Sequence, residues 1–421
     1  MATLNQWLEK IEQGQAGGVI EMGLERVNAV KNRMNLTPQM PIITVAGTNG
    51  KGSVCAFLTA IYREAGFRVG TLTSPHLLRF NERIAINGVP VDDDVIVASF
   101  ERIETARAEI HLSYFEYNAL AAVDIFMTQN VDVMILEVGL GGRLDAVNVF
   151  DADVAVVVSV DIDHQNFLGD TIEQIAFEKA GIFRPNRYAI FGQNPVPESL
   201  RQHAENIHAH LLLYGKDFSY KTLEQQQWSY FFNPTQKSRH ALPMPVLRGA
   251  YQIQNASCAL TAVECLHEKL PVDLAAIKKG LLLAENTARF QALAGRPMRI
   301  LDVGHNPHAA HALKNSLQRL PFAKKRRAVF SMLNDKDLAS VVTILKDQFD
   351  EWLIAPLDLP RGRSLDNIQA AFDTLGIAKE KIRSFPNIQA AWQYAVQESN
   401  EDDRIVVFGS FHTVAEVLRQ I

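Results

Sequence analysis

The sequence predicts an α/β protein: a P-loop domain with a doubly wound, mostly parallel sheet, followed by a smaller Rossmann-like α/β domain. Short apolar runs such as Ile42–Ala46 alternate with longer runs at helical spacing, which is typical of parallel strands buried on both faces. A glycine-rich segment containing one lysine joins that first strand to a helix. Periodicity is lost between Glu285 and Pro297, and a second series of alternating strands and helices follows.

The length of the chain predicts two domains. Its 421 residues exceed what one ordinary hydrophobic core supports. We expect a first domain over residues 1–286, a linker over 287–297 and a second domain over 298–421.

Composition excludes several classes of function. The chain is 47% hydrophobic and 21% charged, with a net charge of −5, so no overall basic field would attract nucleic acid or a membrane surface. No window approaches the ~20 apolar residues of a membrane span, and charges interrupt the N-terminal segment where a signal peptide would be apolar. Three cysteines without C-x-x-C spacing indicate reduced, buried thiols and a cytoplasmic protein (Cys55, Cys258, Cys265).

The glycine-rich loop predicts a phosphate site. Glycines let successive backbone N–H groups approach a polyphosphate, and the helix that follows directs the positive end of its dipole at the loop. The spacing departs from the general P-loop pattern, because Val45 replaces the first glycine and Gly52 separates the lysine from the hydroxyl. An ordinary glycine turn is the alternative. The loop comprises Gly47, Thr48, Asn49, Gly50, Lys51, Gly52 and Ser53.

The second strand, Arg68–Thr73, ends at a proline-containing loop, Ser74–Leu77. Proline stops a strand ladder, and in a doubly wound sheet such a loop lies on the ligand-binding edge. An ordinary strand exit is the alternative interpretation. A hairpin around Asn87-Gly88 and a helix over Asp92–Arg107 are predicted next.

Two further strands are expected to bring polar side chains to the same edge. Val131–Val138 carries Glu137 near its end, and a carboxylate in so apolar a strand is costly unless it is paired or binds a metal. Asp153–Val160 leads to His164. Together with Lys51 and Ser53 these residues predict a magnesium–ATP site. A buried ion pair for the glutamate and a capping role for the histidine are the alternatives.

The next segments contain two more candidates. Thr171–Ala180 is predicted as a helix with a capping box, and Lys179 near its end could simply complement the helix dipole. Residues 186–245 are expected to be irregular, with strands near 188–192 and 211–214 and no chemistry. A helix is predicted from Arg248 through His267, in which Asn255 is either a ligand contact or a cap.

The second domain is predicted from strands near 299–303, 327–331, 351–355 and 404–408. Its first strand ends in Asp302-Val303-Gly304-His305-Asn306-Pro307, for which a simple helix cap is the alternative to a ligand site. The last strand ends in a loop that contains Ser410.

Several segments together resemble one family. GTNGKGS, SPHL, GLGGRLDA, EKAGI and D-x-x-HNP are similar to the folate branch of the ATP-dependent amide ligases related to the Mur ligases, namely the bacterial bifunctional dihydrofolate synthase/folylpolyglutamate synthases. The resemblance implies an ADP-forming ligase that adds L-glutamate to dihydropteroate and to reduced folates through an acyl phosphate. It implies small-molecule partners only and a monomer.

The resemblance also implies roles for individual residues. The first domain would bind ATP and the pterin, and the second would bind glutamate. ATP would contact the glycine-rich loop together with Asn255, Arg289, Asp302 and His305, while Lys51, Lys179, Arg289 and His305 would be catalytic. The implied cofactors are ATP, Mg²⁺ at two sites and K⁺, with Lys179 carbamylated. Metal contacts are implied for Ser53, Ser74, Glu137, His164 and Lys179. Substrate contacts are implied for Thr73, Ser74, Pro75, His76, Phe115, Arg143, Leu144, Asp145, Ala146 and Ser410.

Three other functions compete with this hypothesis. A Mur-type ligase acting on another carboxylate would need a separate domain for its precursor, and only about forty residues precede the first strand. A nucleotide-gated binding protein would leave Glu137, His164 and Lys179 without a purpose. A GTPase is disfavoured because Asn334–Asp337 has the guanine-reading residues in the wrong order.

Overall fold

The computed structural model describes residues 2–14, 22–223, 227–249 and 251–421. The chain divides into two compact units: Met1–Val246 with Ile253–Glu285, and Leu247–Gln252 with Asn286–Ile421. Residues 287–297, expected to be a linker, contain a strand in the structure, Gln291–Leu293. The glycines of residues 14–18 predict a flexible segment between two N-terminal helices, and from Gln15 onward this segment lies outside the described residues.

The larger unit contains an eight-stranded sheet in which the first strand is central. The strands lie in the order β4-β3-β2-β5-β1-β6-β7-β8, and β3 is antiparallel to both of its neighbours, β2 and β4. The β3–β4 hairpin turns at Asn87-Gly88, as predicted. The remaining pairings are parallel. These strands are β1 (Ile42–Ala46), β2 (Val69–Leu72), β3 (Ile84–Ile86), β4 (Val89–Pro90), β5 (Val133–Glu137), β6 (Val154–Val157), β7 (Tyr188–Phe191) and β8 (His210–Leu213).

Strand register brings three loops together. Val45 of β1 lies opposite Glu137 of β5, and Ala46 lies opposite Val157 of β6. The loops that leave these strands therefore emerge side by side at one edge of the sheet. All five residues of β1 and of β5 are buried, as expected for strands covered by helices on both faces.

Helices cover this sheet. The helix over Ile172–Ala180 begins with the predicted capping box of Thr171 and Gln174. The helices of the larger unit are α1 (Leu4–Gly14), α2 (Glu25–Arg33), α3 (Lys51–Glu64), α4 (Asp93–Arg107), α5 (Tyr114–Thr128), α6 (Gln165–Leu168), α7 (Ile172–Ala180), α8 (Glu198–Asn206), α9 (Gln252–Cys265, whose first residue is grouped with the smaller unit) and α10 (Leu274–Leu283). None of the described helices is long and apolar enough to cross a membrane.

A second sheet lies where an irregular segment was expected. Three antiparallel strands, β9 (Phe218–Leu223), β10 (Gln227–Phe232) and β11 (Lys237–Pro243), follow the large sheet. Trp228 and Tyr230 are fully buried, and the Tyr230 hydroxyl shares a hydrogen bond with Thr261 of α9. The prediction of irregular structure over residues 186–245 was therefore wrong for this part. These strands are short and polar on their outer faces, so the sequence pattern does not reveal that they pair.

The smaller unit has a six-stranded sheet in the order β12-β13-β17-β14-β15-β16, in which only β12 is antiparallel. Four of its strands match the predicted positions, whereas the two short edge strands were not predicted. The strands are β12 (Gln291–Leu293), β13 (Met298–Asp302), β14 (Arg326–Phe330), β15 (Glu351–Ile354), β16 (Ile382–Ser384) and β17 (Arg404–Phe408). Its helices are α11 (Pro307–Gln318), α12 (Leu338–Leu345), α13 (Leu365–Thr374), α14 (Ile388–Gln397) and α15 (Phe411–Leu418).

We expect Gly280→Ala to destabilise the larger unit. A Cβ at Gly280 of α10 would lie 2.5–2.7 Å from Ile61 of α3, and two of the three contacts are backbone atoms that cannot move aside. Overpacking of this kind costs about 1–3 kcal/mol in the free energy of unfolding, which urea denaturation would measure. Gly14→Ala, where a Cβ meets nothing within 4 Å, is the control. Equal stability of the two variants would contradict the tight packing of α3 on α10.

Candidate active site

The glycine-rich loop is pinned between β1 and the loop after β6. Thr48 N–H donates to the Ser159 carbonyl at 2.9 Å, and Asn49 N–H donates to the Ser159 hydroxyl at 3.0 Å. The Lys51 ammonium donates to the Gly47 carbonyl at 3.0 Å, so the lysine folds back over the loop. Gly47 and Gly50 have φ values of 151° and 88°, which favour glycine. The loop backbone is therefore held in place at the start of α3, as the prediction of an anion site requires.

Asn255 lies against the glycine-rich loop. A Cβ built on Gly50 would be 2.7 Å from the Asn255 side-chain oxygen, so the amide touches the loop backbone. Asn255 is buried within α9 rather than at its first residue. The structure thus places it beside the loop, as the ligand-contact prediction requires.

Glu137 meets the proline-containing loop. Its carboxylate, 3% exposed, accepts a hydrogen bond from Ser74 N–H at 3.1 Å. Ser53 is equally buried at the first turn of α3. Burial raises the pKa of the Cys55 thiol well above its usual range; the charge of Glu137 adds to this rise and the charge of Lys51 opposes it, so both groups lie within electrostatic reach of the thiol. Ser53, Ser74 and Glu137 are therefore all placed at the edge near Lys51.

These residues fit a hard divalent cation. Among the described residues, no group of three or more His, Cys, Asp or Glu side chains is arranged to hold a metal by itself. The donors at this edge are instead the Ser53 hydroxyl and the Glu137 carboxylate, both oxygen ligands. Mg²⁺ is typically held by one or two such protein ligands, while waters and substrate phosphates complete its coordination.

Arg83 was not predicted, although it lies in this region. It is 9% exposed, stacks on Phe80 and Tyr114 at 5.8 and 5.4 Å, and its Nε–H donates to His76 Nδ1 at 2.7 Å. Burial lowers its pKa, which the neighbouring Glu137 partly offsets. The guanidinium thereby fixes His76 of the proline-containing loop. The sequence did offer one indication of its role, an arginine at the start of an otherwise apolar hairpin strand.

Phe115 and the loop after β5 are in contact. A Cβ on Gly139 would lie 2.7 Å from the tip of the Phe115 ring, so the half-buried aromatic packs on the backbone of this loop. Thr73 N–H is bonded to Arg83 C=O at 2.9 Å, next to Ser74 and Pro75. The structure therefore groups these predicted substrate residues around the ends of β2 and β5.

Asp145 holds the GLGGRLDA segment in shape. Its carboxylate accepts from Leu140 N–H at 2.9 Å and Val147 N–H at 3.1 Å, which caps a short helix beginning at Ala146. Burial raises its pKa to about 7, although these hydrogen bonds and the Lys51 charge oppose the rise. Arg143 is exposed and pairs with Glu178 at 2.8 Å, and Leu144 is half-buried.

Lys179 is buried at the end of α7. Lys179 is only 4% exposed. Burial, together with the nearby Lys51 charge, lowers the pKa of its amine to about 7. The negative charges of Asp163 and Asp145 offset this lowering of the pKa only in part. Lys179 is therefore within electrostatic reach of Lys51 in the glycine-rich loop, and its lowered pKa makes the neutral amine available near neutral pH.

His164 lies farther along its loop than predicted. β6 ends at Val157 rather than Val160, and His164 immediately precedes the short α6 with a left-handed φ of 52°. Its Nε2 is 3.9 Å from an Asp163 oxygen, and its side chain is 34% exposed. It therefore faces Asp163, which in turn acts on Lys179. Asp163 was missed because only the folded loop places it near the lysine.

The smaller unit has its own cluster at the carboxyl end of β13. Asp302 accepts from Phe290 N–H at 2.9 Å and Gly304 N–H at 2.7 Å; burial raises its pKa, while Arg289 opposes the rise. The Arg289 guanidinium lies 5.3 Å from the Phe411 ring. His305 shares a hydrogen bond with the Val303 carbonyl at 2.9 Å and contacts the same ring.

Two predicted residues of this unit cap helices. Asn306 caps α11 by accepting from Ala309 N–H at 2.9 Å, as the cap interpretation of this motif predicts. Ser410 is buried and caps α15, accepting from Thr413 N–H at 2.9 Å. Its hydroxyl also shares a hydrogen bond with the Thr413 hydroxyl at 2.8 Å. A glutamate contact from Ser410 remains a prediction.

Comparison with known proteins identifies the family. The Mur ligase middle domain matches residues 45–263, and the Mur ligase glutamate ligase domain matches residues 288–411. A dihydrofolate synthase/folylpolyglutamate synthase of Escherichia coli strain K12 is 40% identical over 419 residues, which cover 99% of this chain and 95% of that protein.

Solved structures agree over the whole chain. E. coli FolC in complex with DHPP and ADP has a TM-score of 0.93 at 39% identity, covering 100% of this chain and 97% of that one. A bifunctional folylpolyglutamate synthase/dihydrofolate synthase with Mn, AMPPNP and L-glutamate bound has a TM-score of 0.90 at 39% identity, covering 100% and 98%. This chain belongs to the dihydrofolate synthase/folylpolyglutamate synthase family of Mur-type ligases.

Proposed function

We propose that this ligase adds L-glutamate to dihydropteroate and to reduced folates through an acyl phosphate. One observation carries the proposal: the phosphate loop with Lys51, the buried Glu137 and the Ser74 loop leave adjacent strands at one edge of the sheet. Relatives that bind ADP with DHPP, and AMPPNP with Mn and L-glutamate, support the same substrates here.

The chemistry proceeds in two displacements. A carboxylate oxygen of the folate-type substrate attacks the γ-phosphorus of ATP, and the bond to the β-phosphate oxygen breaks to release ADP. The amine of L-glutamate then attacks the acyl carbon, loses a proton and expels phosphate, which leaves an amide. Lys51 neutralises charge on the transferring oxygens, and the loop N–H groups hold the phosphates in line. In the smaller unit, Arg289, Asp302 and His305 are the proposed further ATP contacts.

The same edge would hold the divalent cation. Ser53 and Glu137 would bind one Mg²⁺, with Ser74, His164 and Lys179 contributing to this site or a second one. The bound metal would supply positive charge to the phosphate oxygens. We retain K⁺ as a further cation, which replacement by Na⁺ in the assay would test. A monomer in the cytoplasm is proposed, and gel filtration would test the former.

Lys179 is proposed to react with CO₂. Carbamylation needs a neutral amine, and burial with a pKa of about 7 makes that form available at neutral pH. The amine nitrogen bonds to the carbon of CO₂ and releases one proton, so that the cation becomes an anionic carboxylate-like group. That change would relieve the repulsion from Lys51 and supply oxygen ligands for a metal.

The substrate would lie between the loops after β2 and β5. Phe115 offers a ring surface beside Gly139, and the loop residues Thr73 to His76 face the same strand ends. We propose that the pterin stacks on Phe115 and contacts Asp145, with Arg143, Leu144 and Ala146 lining the site. Aromatic stacking of this kind would contribute about 0.5–1.5 kcal/mol to binding.

His164→Ala is expected to raise the Mg²⁺ concentration required for half-maximal activity by about 10–100-fold, because the loop would lose one side chain of the proposed metal site. The measurement is a magnesium titration of phosphate release at saturating ATP. His208→Ala, at an exposed turn, is the control. An unchanged magnesium titration would remove His164 from the site.

Phosphate release tests the proposed substrates. Purified protein is assayed with ATP and L-glutamate, adding dihydropteroate or a reduced folate in turn. We expect phosphate release that depends on both glutamate and either pterin. If neither pterin supported phosphate release, a Mur-type ligase acting on another carboxylate would be favoured. If added glutamate had no effect with any carboxylate substrate, a binding protein without ligase chemistry would be favoured.

A further inference from the structure

A cavity of about 420 Å³ lies at the amino-terminal end of the parallel strands of the smaller unit. Arg404 opens β17 there, whereas Ser410 follows the opposite end of the same strand. Asp302 and His305 likewise follow the carboxyl end of β13. The cavity is therefore separate from the cluster proposed to contact ATP within this unit.

The cavity has an apolar wall and a basic rim. Leu320, Phe349 and Val406 contribute apolar surface. The charged lining consists of Lys324, Arg404 and the ion pair of Arg326 with Asp350. A volume of this size falls in the range of small-ligand pockets and exceeds what a single inorganic ion needs. It could accept a small organic molecule.

Three basic residues near the cavity have carboxylate partners. Lys325 and Arg327 both pair with Glu351 at 2.9 Å, and Arg326 pairs with Asp350 at 2.7 Å. Lys324 and Arg404, in contrast, make no ion pair with any residue that the structure describes. Among the basic residues that line the cavity, Lys324 and Arg404 therefore lack a carboxylate partner, while Arg326 and Asp350 neutralise each other.

Arg404 gives the strongest evidence that the cavity binds an anion. The residue is 5% exposed, its terminal nitrogen donates to the Pro321 carbonyl, and its buried Nε–H finds no acceptor among the described residues. Burial and the nearby Arg326 lower its pKa, which is the signature of a cation without a compensating anion. An unpaired buried charge is costly, and an anion in the cavity would offset that cost.

Phe322 adds an aromatic surface at the rim. Its side chain is 91% exposed, the largest value among the exposed large hydrophobic residues described. A ring of this kind can stack on a flat ligand whose charged end faces the two cations. We propose that this cavity binds a small aromatic anion, with its carboxylate or phosphate group beside Arg404 and Lys324 and its ring against Phe322.

Binding of 1-naphthoate and of 1-naphthyl phosphate to the full chain tests this proposal. Ligand-observed NMR titrations are run with AMPPNP and Mg²⁺ present to occupy the catalytic nucleotide site. We expect saturable binding that weakens with added salt, and no binding of neutral 1-naphthalenemethanol. The tighter of the two anions identifies whether a carboxylate or a phosphate is preferred.

Substitutions at exposed residues test the proposal without disturbing the fold. Phe322→Ala and Lys324→Ala should each weaken binding by about 3–10-fold, while Lys379→Ala, exposed elsewhere in this unit, should leave it unchanged. Arg404→Met should abolish binding, with thermal unfolding checking its fold. Absence of binding by the native chain, equal binding of the neutral compound, or affinities unchanged in both exposed variants would overturn the proposal.

Discussion

Replacing Lys51 with Ala is expected to lower phosphate release by at least about 10²–10³-fold, the usual cost of removing one preorganised charge from a transition state. The ammonium bonds to the Gly47 carbonyl at 3.0 Å and therefore sits over the loop that would hold the phosphates. Phosphate release at saturating ATP, pterin and glutamate measures the effect. Stability should change little, because Lys51 is half-buried and contributes no apolar core.

Lys221→Ala is the matched control, since this lysine is exposed on β9. Its activity should equal that of the native chain, and both variants should unfold cooperatively with similar thermal midpoints. Retained turnover in Lys51→Ala would refute the assignment of the glycine-rich loop as the phosphate site. A lost fold would instead show that the lysine supports the loop structurally, which circular dichroism would reveal.

Lys179 should react with CO₂ increasingly as pH rises through about 7. Its pKa in the folded chain is lowered to about 7 by burial and by the Lys51 charge. Below that pH the amine is protonated and cannot attack CO₂, whereas above it the neutral form predominates. We therefore expect a carbamate signal in ¹³C NMR with ¹³C-bicarbonate that grows from pH 6 to pH 8 (about one unit on either side of the pKa).

Replacing Lys179 should lower activity by about 10–100-fold if its carbamate supports a metal. Lys179→Met keeps much of the buried volume, and Lys179→Ala leaves space in which formate or acetate can act, so the alanine variant alone should be partly rescued. Lys51→Ala should raise the pKa of Lys179 by removing a neighbouring cation. Full activity in both Lys179 variants, or no carbamate signal in the native chain, would make Lys179 an ordinary helix terminus.

Local patterns predicted much of the fold. The strand, glycine loop and helix over residues 42–64 are confirmed, because apolar runs, glycines and helical spacing act over a few neighbouring residues. The hairpin at Asn87-Gly88 and the Thr171 capping box are confirmed for the same reason. The resemblance to the folate ligases is confirmed by relatives that match nearly the full chain.

Other features needed long-range contacts. Strands β9 to β11 were missed because their stability comes from pairing and from burial of Trp228 and Tyr230, which neighbouring residues do not reveal. Arg83 was missed because its importance depends on stacking with Tyr114 and bonding to His76. Strand ends were misplaced by a few residues, which moved His164 well beyond β6.

The sequence alone determined most of the central strands, the glycine-rich loop between β1 and α3, and the family, since each depends on residue types at short, regular spacing. Tertiary structure alone decided that Lys179 is buried near Lys51, that Glu137 meets Ser74, and that Lys324 and Arg404 line the same cavity. The reason is that burial and electrostatic neighbourhood are properties of residues distant in the chain, and these properties set the protonation and ligand preference of a site.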